Sequence, residues 1–96
     1  MSPHEVLKLR RDAILRIASA RGARHVRVFG STVRGERGPS SDIDLLVEME
    51  PGRSLVDLMS LEDELEQLLG SPVDVVTEAA LSPRIRDRVL AEAVAL

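Results

Sequence analysis

"FGSTVRGERGPSSDIDLLV", residues 29–47, separates a glycine-serine pair by ten residues from two aspartates that open an apolar run. A strand entering a core ordinarily excludes charge, because an unpaired buried carboxylate is costly. Asp42 and Asp44 are two apart, so on a strand their side chains leave the same face. Their Cα atoms then lie roughly 6.5–7 Å apart. Carboxylates at that spacing can converge on a pair of divalent ions roughly 4 Å apart. Mg2+ takes such oxygen ligands and fills its remaining positions with waters or substrate phosphates.

Gly30 sits at the junction between the preceding strand and a short helix. Glycine there lets the backbone approach a ligand closely, and the turn that follows offers free N–H groups to a phosphate. Ser31 adds a hydroxyl, and Arg34, three positions on, can reach the same anion. Asp74 is a third carboxylate, carried by "PVDVVT" (72–77). It joins the pair if its strand neighbours that of Asp44. An anion cradle beside an acidic, cation-binding set suits metal-assisted phosphoryl or nucleotidyl transfer.

The rest of the chain supplies the scaffold for this stretch. Ser2, Pro3 and Glu5 read as a capping-box start. Val6, Leu9, Ala13 and Ile17 then recur at helical spacing, with Leu7, Ile14 and Ala18 widening the stripe up to a stop at Gly22. "HVRVF" (25–29) alternates as a strand, with Val26 and Val28 on one face. "STVRGER" has room only for a short helix before the turn-rich "GPSS" (38–41). "DIDLLVEM" (42–49) reads as a second strand, its Leu45-Leu46-Val47 run buried on both faces.

Ser54 and Asp57 resemble another capping box. Leu58, Leu61, Leu65 and Leu68 stripe the helix that follows, and Gly70 ends it. After the third strand, Ser82-Pro83 opens a last helix with Ile85, Val89 and Ala93 inward. The order is α-β-(short α)-β-α-β-α, a small α/β sandwich of three or slightly more strands. Parallel and mixed pairing both fit the turns.

Ninety-six residues suit one domain spanning 1–96. A content of 44% hydrophobic and 30% charged residues is that of an ordinary globular protein. The net charge of −3, with Lys8 the only lysine, argues against direct nucleic-acid binding, which calls for a basic face. The single aromatic, Phe29, leaves no base-stacking platform. Without cysteine there are no disulfides or thiolate metal sites. No run approaches membrane-spanning length and the N-terminus has no apolar leader, so a cytoplasmic location is expected. Arg37, Arg84, Arg86 and Arg88 read as solvated side chains. His4 and His25 have no ligand partner at motif spacing.

Gly30-Ser31, Asp42-Ile43-Asp44 and the later "VDVV" together resemble the DNA polymerase β-like nucleotidyltransferase superfamily. Nearly the whole chain is similar to its minimal nucleotidyltransferases, the MNT or MntA-like group. The resemblance implies a small mixed sheet packed with helices. It implies that Gly30 and Ser31 hold the triphosphate of ATP, the nucleotide donor, and that Asp42 and Asp44 bind two Mg2+ ions. Asp74 would ligate the catalytic metal and help deprotonate the attacking hydroxyl. Members of the minimal group are antitoxins paired with HEPN-domain toxins, and transfer AMP to a tyrosine hydroxyl of that partner. A homo- or hetero-oligomer is the expectation, since ninety-six residues are too few for the second domain that supplies acceptor contacts in larger members.

Two rival readings use the same residues differently. A catalysis-independent antitoxin would neutralise its partner by occlusion, through the leucine-rich helices. A transferase acting on a small molecule such as an aminoglycoside would share the acidic core but needs an added acceptor domain.

Overall fold

The computed structural model describes residues 3–34 and 43–96. Helices α1 (Pro3–Leu9) and α2 (Arg11–Ala20) precede strand β1 (Ala23–Phe29) and the one-turn helix α3 (Ser31–Arg34). Strand β2 (Ile43–Met49), helix α4 (Leu55–Leu69) and strand β3 (Val73–Thr77) follow. A 3-10 turn (Glu78–Ala80), helix α5 (Pro83–Glu92) and the two-residue strand β4 (Val94–Ala95) complete the order.

The strands make one mixed sheet in the order β3-β2-β1-β4. β1 is antiparallel to β2 and β4, whereas β2 and β3 are parallel. A parallel neighbour requires a crossover, and α4 provides it. The mixed sheet is the one expected, widened to four strands by β4, which is too short to leave a periodic signal.

Strand alternation sorts the sheet into two faces. Val26 and Val28, Ile43, Leu45 and Val47, and Val73 and Val75 pack with Leu7, Ile14 and Ala18 of α1 and α2 and with Leu61 and Leu65 of α4. These form the main core. Leu46 is also fully buried but stands outside that cluster, as does Val89 of α5. β2 is thus covered on both sides, as its unbroken apolar run requires.

Packing corrects two expected stripes. Leu7, Ile14 and Ala18 are the buried line of the N-terminal helices, while Leu9 is 68% exposed. The apolar band there is wide enough for several rotations, and contact with the sheet selects one. The expected single helix is interrupted at Arg10, where φ −97° and ψ 7° leave the helical range. In α5 only Val89 is buried, and Ile85 is exposed.

Local chemistry holds the ends of α4. The Ser54 N–H donates to Asp57 Oδ2 at 3.1 Å, one half of the expected capping box. Gly70 ends the helix at φ +69°, a left-handed conformation that glycine adopts at little cost. Arg21, directly after α2, forks onto Glu64 of α4, with Nη2 to Oε1 at 2.7 Å and Nε to Oε2 at 3.2 Å. This hydrogen-bonded pairing holds the Glu64 carboxyl below the usual range and raises Arg21.

The free edge of β3 is closed by the same helix. Val73 N–H donates to Glu66 Oε2 at 2.9 Å and Val75 N–H to Glu62 Oε2 at 2.8 Å. Residues two apart on a strand aim their amides at one edge, and glutamates four apart share one helix face. The two periods therefore match, and donors that would invite another strand are satisfied.

Candidate active site

Three strands bring the motif residues into one row. Phe29 of β1 is the register partner of Asp44 on β2, and Asp44 is the partner of Asp74 on β3. Register partners project to the same face, with neighbouring strands roughly 4.8 Å apart. Because Ile43, Leu45, Val73 and Val75 all face the main core, Asp44 and Asp74 project from the opposite face. Asp74 is exposed and Asp44 half-buried. Asp42 lies outside the described residues. Among those described, no group of three or more His, Asp or Glu side chains is placed to hold a metal ion. The pair Asp44–Asp74 is what the structure brings together, and its hard oxygens on one face fit Mg2+.

Register along β1 depends on an irregularity. Arg24 pairs with Glu48, but Arg27 pairs with Leu46, so β1 carries one extra residue between them. His25 takes φ +52° there, a conformation histidine tolerates better than most side chains. An uninterrupted ladder would have put Val28 opposite Asp44. The bulge puts Phe29 there instead.

Gly30 follows directly and is constrained twice. Its φ is +74°. A Cβ at this position would lie 2.5 Å from Asp44 Oδ2 and 3.3 Å from its Cγ. The glycine therefore lets the backbone turn while the aspartate packs against its Cα. Val33 N–H closes the turn on Gly30 O at 3.1 Å. Ser31 and Arg34 are the first and last residues of α3, and for both only the backbone is described. Thr32 is 4% exposed, and its Oγ1 has no hydrogen-bond partner among the described residues.

Two features here were not legible from the motif. The Gly30 N–H donates to Glu92 Oε1, at the end of α5, at 2.9 Å. In the next row on the same face, beside Leu46, Arg27 donates from Nη2 to Glu78 Oε1 at 3.1 Å, its side chain only 12% exposed. Arg86 Nη2 stands 3.8 Å from the second oxygen of Glu78. These contacts bring α5 over the acidic face. The Glu92 signal was present in one respect: a glutamate in a last helical turn opposes the helix dipole.

The arrangement presents a carboxylate pair, open to solvent at Asp74, beside a glycine turn whose amide already holds an anion. That combination can bind a cation and a phosphate side by side.

Residues 11–96 match the family model described as nucleotidyltransferase domain. The chain is 46% identical over 81 residues to MJ0435 of Methanocaldococcus jannaschii, named as a candidate protein adenylyltransferase, covering 84% of this chain and 87% of that one. It is 47% identical over 73 residues to the protein adenylyltransferase MntA of Thermococcus cleftensis, covering 76% and 74%. A solved structure described as a candidate minimal nucleotidyltransferase superposes with a TM-score of 0.86 at 51% identity, over 96% of this chain and 94% of that one. A complex of an MNT antitoxin with the tri-AMPylated HEPN toxin of Shewanella oneidensis shares the fold, with a TM-score of 0.69 at 20% identity, over 92% and 69%.

Proposed function

Because the chain belongs to the nucleotidyltransferase domain family, we propose that it transfers AMP from ATP, with Mg2+, to a tyrosine hydroxyl of a HEPN-type partner and so acts as its antitoxin. The observation that carries this reading is the in-register pair Asp44–Asp74 beside the Gly30 turn. The names of its relatives and the AMPylated toxin held by a structural neighbour support the choice of acceptor.

Each residue has a defined task. Gly30 N–H and the Ser31 turn take the triphosphate oxygens, and Arg34 offsets their charge. Asp42, Asp44 and Asp74 would hold divalent ions, which would supply charge neutralisation to the phosphates. Asp74, the exposed member, stands where an acceptor hydroxyl can enter and takes its proton. The hydroxyl oxygen bonds to the α-phosphorus as the bond to the pyrophosphate oxygen breaks. Products are the AMP ester and pyrophosphate.

The reading is tested by incubating the folded protein with its proposed HEPN-type partner, ATP and Mg2+, and reading intact mass. An AMP adduct on the partner, lost with Asp44→Asn or Asp74→Asn, is the expected result. No adduct from two folded proteins overturns it.

One observation favours the occlusion reading: Leu55, Val56 and Met59 project from the first turns of α4, 55–69% exposed. An occluding antitoxin would keep neutralising its partner after Asp44→Asn. A transferase would not.

A further inference from the structure

The hydrogen bond between Gly30 N–H and Glu92 Oε1, 2.9 Å long, joins residues 62 apart in sequence. It takes up the amide on which the proposed function depends. A backbone amide carries one proton, so a carboxylate oxygen and a phosphate oxygen cannot both be its full partner. Both are anionic acceptors of the same charge-assisted kind. Glu92 therefore offers this amide what a nucleotide would offer, from within the chain.

Glu92 closes α5, where the exposed carbonyl ends disfavour negative charge. It is also half-buried near a second carboxylate, since Asp44 packs on the Cα of the same Gly30. The helix dipole by itself opposes a glutamate at this end of α5. Ala93 and β4 follow it directly, and β4 pairs with Arg27 and Val28 of β1. That pairing anchors the end of α5 against the strand leading into Gly30.

Resting on the proposed function, we infer that Glu92 is an internal competitor for the triphosphate subsite and sets the apparent affinity of the site for nucleotide. MgATP binds only the fraction of molecules in which Glu92 has left Gly30, so its apparent dissociation constant is raised by the reciprocal of that fraction. A partner that drew α5 aside would raise nucleotide affinity without touching the nucleotide.

The test measures MgATP binding to the 96-residue chain by calorimetry for the wild type, Glu92→Ala, Glu92→Gln and Asp87→Asn. Asp87 is an exposed carboxylate on the same helix, so Asp87→Asn controls for the change in net charge alone. Glu92→Ala is expected to bind about tenfold tighter, the scale of one charge-assisted hydrogen bond. Glu92→Gln falls between, because its neutral carbonyl still accepts from Gly30, and it serves as the working variant if the alanine form does not fold. In the AMP-transfer assay the two Glu92 variants lower KM for ATP with kcat unchanged, and Asp87→Asn leaves KM at the wild-type value. Affinity equal to or weaker than wild type in both Glu92 variants, or an equal gain in Asp87→Asn, overturns the inference while the proposed function stands. If no form binds MgATP, the proposed function fails first and this inference with it.

Discussion

Alanine at position 30 tests how the backbone turn and the acid pair depend on each other. Two costs separate at this residue. An L-residue held at φ +74° costs about 1–2 kcal/mol of backbone strain. The added Cβ would also meet Asp44 Oδ2 at 2.5 Å, about 1 Å inside ordinary van der Waals contact. Asp44 must then swing away from the row it shares with Asp74. A matched control exists in Gly70, with φ +69° and nothing within 4 Å of its virtual Cβ. Gly70→Ala pays the strain and gains the same unfolded-state entropy term, but disturbs no neighbour.

Gly30→Ala is therefore expected to lose about 2–3 kcal/mol, and Gly70→Ala about 1 kcal/mol less. For a chain of 96 residues that difference separates their melting temperatures by roughly 4–8 °C. Urea unfolding followed by circular dichroism gives both free energies, with equal m-values showing that the denatured states match. Gly30→Ala as stable as Gly70→Ala would refute the packing of Asp44 against Gly30, and with it the reason a glycine is needed there.

Two further outcomes follow from contacts away from the acids. Replacing Glu62 and Glu66 together by alanine removes the acceptors of Val75 and Val73, at about 1–2 kcal/mol each. Size-exclusion chromatography should then show self-association through the opened β3 edge; a monomer of unchanged stability contradicts the edge-capping role. The Glu64 carboxyl is held low by Arg21, so its stabilising contribution is present above the ordinary glutamate range and lost as pH falls through its folded value. The melting-temperature gap between wild type and Glu64→Gln should accordingly close on acidification, and a gap independent of pH would rule the pairing out as its source.

Much of the scaffold was legible because it is written in local periods. The Leu61 and Leu65 stripe, the Asp57 cap and the Gly70 stop delimit α4, and each is a short-range signal. Gly30 read correctly as a turn glycine, since a strand meets a helix there. The stripe of α1 and α2 was read too broadly: 3.6-residue spacing admits Leu9 as well as Leu7, and only contact with β1 and the sheet rejects Leu9. β4 had no readable signature, because two residues make no pattern.

The sequence by itself determined that this chain alternates helices with strands and carries a glycine turn ahead of an acidic strand, because propensity, capping and side-chain alternation act over a few residues. Tertiary structure alone decided that Asp74 stands beside Asp44, that a bulge at His25 sets Phe29 opposite them, and that Glu92 closes on Gly30. Those outcomes turn on which strands become neighbours and in what register. That choice is made by burying the two faces of β2 at once, between residues too far apart in the chain for any local pattern to couple.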